Sequence, residues 1–86
     1  MHGLHYVYLL ESLSAPRKRY VGVTNDLKSR LAAHNAGRSS HTAKHLPWKL
    51  VTYLAFSNRV QTEAFETYLK SGSGHAFARK RLWPTE

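Results

Sequence analysis

A chain of 86 residues with 13 Lys and Arg against 5 acids carries a formal charge of +8 at a pI near 10.2. It is read as one small domain, residues 1–86, whose basicity calls for a polyanionic partner, nucleic acid first. With 42% hydrophobic and 12% aromatic residues it is not disordered, and with no cysteine it has neither a disulfide framework nor a thiolate metal site.

Chains of this size bury only about 60% of the surface their unfolded form exposes, so the core is limited and a second recognition domain has no room. No apolar run approaches the ~20 residues that cross a bilayer. Met1 to His5 lack the basic start and apolar stretch of a secretion signal, which points to the cytoplasm. No basic amphipathic helix with a wide apolar face suggests a membrane-surface role.

In chain order, His5 to Ser12 reads as a strand with Tyr6, Tyr8 and Leu10 on one face and Val7 and Leu9 on the other. Ser12 to Lys18 is a turn by its Ser and Pro content, and Arg19 to Thr24 is a second strand. The simplest antiparallel register sets Val7 opposite Val21, Leu9 opposite Arg19, Tyr8 opposite Tyr20 and Tyr6 opposite Gly22. Asn25 or Thr24 is expected to cap a helix that starts at Asp26 and stops at Gly37, with Leu27, Leu31 and His34 inward and Arg30 at the edge. Residues 37–47 read as a basic loop with room for one helical turn.

Trp48 to Phe56 is the third strand, with Trp48, Leu50, Thr52, Leu54 and Phe56 expected on one side. Ser57 or Asn58 then caps a helix through Lys70 whose apolar arc holds Val60, Ala64, Phe65, Tyr68 and Leu69. Ser71 to Gly74 reads as a break, and His75 to Leu82 as a last short helix, basic on its outside. The class is α+β: a small three-stranded, antiparallel-type sheet flanked by helices.

Taken singly, the polar residues of interest have ordinary readings. Tyr8 and Tyr20 fit a cross-strand packing pair, although Gly22 inside a strand marks a close approach of backbone or ligand. Arg30 and His34 are four apart, hence neighbours on one helix surface. Glu66 reads as half of an exposed pair with Lys70, and Glu63 is its equal as a carboxylate. His41 and His45 have ligand-like spacing, but zinc would need two further ligands with no cysteine to supply them.

Taken together, these residues resemble the GIY-YIG nuclease superfamily, in particular its small stand-alone members, which are similar to the N-terminal nuclease domain of the bacterial excinuclease. The resemblance runs from Tyr6-Val-Tyr through Tyr20-Val-Gly and on to His34, Gly37, Pro47-Trp and Glu66 to Gly74, nearly the whole chain. The stretch from Tyr20 to Gly37 is its specific part. The resemblance implies that Tyr8, Tyr20, Arg30, His34 and Glu66 are catalytic and that Glu66 alone binds the metal, which lifts it above Glu63. His41 stands where some homing-type members carry another functional histidine. The chain departs from the pattern in having Tyr6 for the first glycine, valine in the middle of both triplets and no asparagine after Glu66.

The chemistry implied is a metal-dependent endonuclease acting on DNA. Glu66 holds a single Mg²⁺ or Mn²⁺, Arg30 meets charge developing on the phosphoryl oxygens, and Tyr8, its pKa lowered, accepts the proton of the attacking water. Tyr20 orients, and His34 positions or relays the proton. Arg38, His41, Lys44 and Lys49 of the loop region and Arg79, Lys80 and Arg81 of the last helix are read as nucleic-acid contacts. With no reader helix or zinc finger, branched, damaged or single-stranded DNA is expected before a defined site, in repair or recombination. The alternatives are a non-catalytic nucleic-acid-binding module and, from size and charge alone, a structural protein bound to ribosomal RNA.

Overall fold

The computed structural model describes residues 3–84; Met1 and His2, two of the five residues in the secretion-signal reading, lie outside the described residues, as do Thr85 and Glu86. Strands β1 (His5–Ser12), β2 (Arg19–Thr24) and β3 (Trp48–Phe56) form one antiparallel sheet in the order β2-β1-β3. Helix α1 (Leu27–Asn35) follows β2, a short 3₁₀ turn at Ala43–His45 precedes β3, and α2 (Arg59–Leu69) and α3 (Gly72–Arg81) complete the chain. The α+β class and the three-stranded sheet are as the sequence implies. No helix among the described residues is long and apolar enough to cross a membrane.

Alternation along the central strand β1 divides the interior into two cores. Val7 and Leu9 point to one side, where Val21, Val23, Leu54 and Phe56 join Leu69 of α2 and Ala78 of α3. Tyr8 and Leu10 point to the other, against Tyr20, Leu50 and Trp48, under Leu27 and Leu31 of α1. Helices therefore cover both faces: α2 and α3 one, α1 and the loop after it the other. Val7, Leu9 and Leu10 are completely buried.

The β1–β2 register differs from the simplest one by two residues: Tyr8 stands opposite Gly22, Leu10 opposite Tyr20 and Leu9 opposite Val21. A shift of two preserves every side chain's face, so the phenols stay together although they are not direct partners. In β3 the strict alternation fails. Leu10 pairs with Leu50 but Leu9 with Thr52, so Val51 is an extra residue, a β-bulge. Trp48 and Leu50 consequently face the tyrosine side, while Leu54 and Phe56 face α2, and the expected single side does not exist.

The helix ends are also specific. Asp26, not Asn25 or Thr24, caps α1 by accepting from Ser29 N, and Thr24 Oγ1 instead accepts from Asp26 N. Gly37, at φ 75°, sits in the left-handed conformation that ends the helical segment. Asn58 caps α2 through Gln61 N. The buried line of α2 runs through Thr62 and Leu69, whereas Val60, expected in the arc, is 73% exposed. Ser71 caps α3, which starts at Gly72, so the expected break is the helix's first turn. A side chain at Gly74 would collide with the Tyr68 backbone; the bare Cα is what lets α3 start so tightly against α2.

Candidate active site

The site begins with a shortage of space on the sheet. Because Gly22 lies directly opposite Tyr8, the Tyr8 ring can lean over it; a Cβ at that position would strike the Tyr8 hydroxyl, its Cζ and the Tyr20 ring. Tyr8 is 2% exposed, and its phenol lies between Tyr20 and His34, with ring centroids 6.2 and 5.7 Å away; Tyr20 and His34 themselves stand 5.0 Å apart. Helix α1 supplies the rest from consecutive turns. His34 is completely buried, and Arg30, one turn earlier, sits at the exposed mouth.

A hydrogen-bonded line links these groups. Arg30 Nε donates to Tyr8 Oη at 3.2 Å, and Tyr8 Oη donates to His34 Nε2 at 2.9 Å. His34 Nδ1–H donates to Thr42 Oγ1 at 2.7 Å, and Thr42 is itself fully buried. This direction is set by the first member, since a guanidinium can only donate and the phenol then has its own proton to place.

The electrostatics agree with it. Burial, followed by the nearby Arg30 charge, lowers the His34 pKa, so the imidazole is neutral and its Nε2 accepts. Burial raises the Tyr8 pKa; the Arg30 hydrogen bond opposes this and the Tyr20 phenol adds to it. A free phenolate base needs a lowered Tyr8 pKa, and the environment produces the opposite because the phenol is on the sheet's covered face rather than in water. Arg30 has its own pKa raised, chiefly by the bond to Tyr8.

Glu66 is not in this line. It projects from α2, on the other face of the sheet, is 19% exposed and pairs with Lys70 Nζ. Its neighbours along α2 still locate it. Glu63, one turn earlier, lines a hollow with Val23, Thr24 and Asn25, while Leu69 and Lys70 line another with Tyr20 and Val21. Glu66 lies between Glu63 and Leu69 along α2, the helix that packs on β1 and β2. The structure thus joins Tyr8, Tyr20, Arg30 and His34 directly and leaves Glu66 outside that group, on the other face of the sheet. Glu63 is held apart, 55% exposed and paired with Arg59 at 3.1 Å.

The basic residues named from sequence are all exposed: Arg38, His41 and Lys44 in the loop on the tyrosine side, Lys49 on β3 turned to the opposite face from Trp48 and Leu50, and Arg79, Lys80 and Arg81 on α3. Lys49 stands opposite Glu11 on β1. Sequence reasoning misses the residues that anchor the loop. Thr42 accepts from His34, its backbone carbonyl accepts from Trp48 Nε1 at 2.8 Å, and Asn35 clasps the Trp48 backbone at both N and O. Trp48, 4% exposed, is the one available signal, since a buried indole needs an acceptor.

Comparison with known proteins adds the family. The family model described as the GIY-YIG catalytic domain matches residues 4–80. A UPF0213 protein of Lacticaseibacillus paracasei is 36% identical over 72 residues, 83% of this chain and 79% of that protein. One of Streptococcus pyogenes is 39% identical over 66 residues, 76% of this chain and 70% of that protein. Among solved structures, the solution NMR structure of a UPF0213 protein from Bacillus halodurans superposes with a TM-score of 0.55 at 27% identity, covering 94% of this chain and 88% of that one.

Proposed function

The chain belongs to the GIY-YIG nuclease family, and from that premise we propose that it is a metal-dependent endonuclease hydrolysing DNA phosphodiester bonds with little sequence specificity. The observation that carries this reading is the line Arg30–Tyr8–His34, in which a fixed cation and a proton path meet at one phenolic oxygen. A sheet needs neither for packing.

In this reading Tyr8 stays neutral in the resting protein, as its raised pKa demands. As the attacking water gives its proton to Tyr8 Oη, Tyr8 passes its own to His34 Nε2, and the imidazolium forms beside Thr42. A raised phenol pKa therefore does not oppose catalysis, because no free phenolate is required. Arg30, permanently charged and already aimed inward from the mouth, neutralises charge building on the phosphoryl oxygens. Tyr20 orients the attacked group.

Among the described residues no cluster of three or more His, Cys, Asp or Glu side chains could hold an ion by itself. A lone hard carboxylate suits Mg²⁺ or Mn²⁺, which keep several waters and accept one carboxylate together with substrate phosphate oxygens; Glu66 would be that carboxylate. Such an ion, when bound, supplies further positive charge at the scissile phosphate. Arg38, His41, Lys44 and Lys49, with Arg79, Lys80 and Arg81, hold the nucleic-acid backbone. Low specificity suits branched, damaged or single-stranded DNA, met in repair or recombination in the cytoplasm.

One observation favours the alternative, a nucleic-acid-binding module without catalysis: Lys70 already occupies the Glu66 carboxylate. A plasmid-nicking assay with Mg²⁺ or Mn²⁺ decides between them. Wild type should nick, Glu66→Ala should not while keeping its circular dichroism, and Glu63→Ala should be nearly silent. Nicking that survives Glu66→Ala refutes the metal assignment; binding with no nicking by wild type leaves the module.

A further inference from the structure

A cleft of about 440 Å³ opens on the far side of Tyr20, between the free edge of β2 and the corner where α2 meets α3. Its floor is apolar, from Val21, Leu69 and Ala78. Three cations stand on its rim, Arg19 at the start of β2, Lys70 after the end of α2 and Arg79 on α3, with the His75 imidazole one turn before Arg79. Trp83 closes the end, with the Arg19 guanidinium 4.7 Å above its ring centroid.

Several features restrict what such a cleft can hold. Its volume is in the roughly 300–1,000 Å³ range of sites for single small ligands, far short of what a duplex needs. The wall combines a flat Arg–Trp pair, on which a planar ring stacks, with cations that take a phosphate. Arg19 and Lys70 already have carboxylate partners, Glu11 and Glu66. For Arg79 and His75 no ion pair is found among the described residues, so these two are left for an anion. Of the three consecutive cations on α3, only Arg79 lines the cleft, because it shares a face with His75 and the buried Ala78.

We propose that this cleft is a subsite for one nucleotide of the bound strand, its phosphate held by His75, Arg79 and Lys70 and its base stacked on the Arg19–Trp83 pair. The subsite rests on the nucleic-acid reading above and deepens it. Tyr20 belongs both to the cleft and to the tyrosine cluster, so the seated nucleotide is adjacent to the phosphate under attack. Lys70 connects the two as well: a phosphate that draws Lys70 into the cleft frees the Glu66 carboxylate, making strand binding and metal binding mutually supportive.

The test is an NMR titration of the wild-type protein, without added metal, with adenosine monophosphate and separately with inorganic phosphate. The expected result is that the mononucleotide shifts both the Trp83 indole N–H and the His75 ring signals, while phosphate shifts His75 alone. No shift at Trp83 with the mononucleotide overturns the base-stacking half, and no shift at either residue overturns the subsite. In fluorescence anisotropy with a labelled octanucleotide, Arg79→Gln should weaken binding roughly tenfold, the scale on which a single nucleotide is held. Lys28→Gln, at an exposed position of α1 that does not line the cleft, should weaken it less than about threefold, the effect of one screened surface charge; equal losses would reduce the effect to general charge and overturn the subsite. Because binding is read without cleavage, an absence of nicking leaves this result standing, and nicking without a mononucleotide shift refutes the subsite while sparing the nuclease.

Discussion

Replacing Thr42 with valine removes one oxygen and almost no volume, and it should disable the site from a distance. Three buried groups share two hydrogens here: Tyr8 brings one, His34 one, and Thr42 Oγ1 is the acceptor at the end. Without that acceptor His34 Nδ1–H has no partner. If the imidazole changes tautomer, Nε2–H points at Tyr8 Oη, and the phenolic proton loses His34 as its acceptor, with Arg30 offering none. Either way a buried hydrogen loses its present partner, which costs about 1–3 kcal/mol. The bond that Thr42 Oγ1 itself donates to Ser39 O is long, at 3.5 Å, and adds little. With a urea slope near 1 kcal/mol/M for a small chain, the midpoint should fall by roughly 1–3 M. Nicking should drop about 10–100-fold, the usual effect of removing the outer partner of a functional histidine. Thr42→Ser should restore both, and imidazole ¹⁵N shifts report the tautomer directly. A Thr42→Val protein with the wild-type midpoint and an unchanged Nδ1–H tautomer would refute the reasoning.

Tyr8→Phe keeps the ring and removes only Oη; nicking should fall by something like 10²–10⁴-fold, and a loss under about threefold would return Tyr8 to packing alone. Stability should be flat between about pH 6.5 and 10 and fall on both sides. Below about 6.5 the unfolded chain takes up a proton at His34 that the folded state resists, and above about 10 it releases one at Tyr8 that the folded state retains. Thermal melts should show His34→Gln flattening the acid limb and Tyr8→Phe the alkaline one; an unaltered limb in either variant contradicts its assignment. Neutralising Arg38 or Lys44 should lower the log–log salt slope of DNA binding by about 0.7–0.9 for each phosphate no longer neutralised, equally for all sequences. An unchanged slope would leave that loop as a cover for His34.

The strands and the class are legible in the sequence because periodicity and residue chemistry control them. The three strands and the inward face of α1 follow from alternation and from the spacing of Leu27, Leu31 and His34. Tyr8, Tyr20, Arg30 and His34 are recognisable as a group because the family pattern names them. The β1–β2 register is not legible, because shifts of two leave the buried pattern unchanged and only the Gly22–Tyr8 approach selects one. Thr42 and Asn35 are invisible because their partners are distant in sequence and their residue types are common in loops. Lys70 reads as the trivial partner of Glu66; that it also lines a cleft depends on how α3 packs, which is decided by Gly74.

The extra residue at Val51 sets the phase of the whole strand. Up to Leu50, β3 keeps step with the tyrosine side; beyond it, with the α2 side. Both halves already match β1, so deleting Val51 would leave a regular ladder, with Leu50 still opposite Leu10 and Thr52 still opposite Leu9. Trp48 would keep its face and its bonds to the Thr42 carbonyl and the Asn35 side chain. What would go is the local bend and added twist that a bulge gives a strand. Natural length variation of one residue at this point should therefore leave the histidine seated as it is here, whereas a one-residue loss elsewhere between Trp48 and Leu50 would turn the indole away from its anchor.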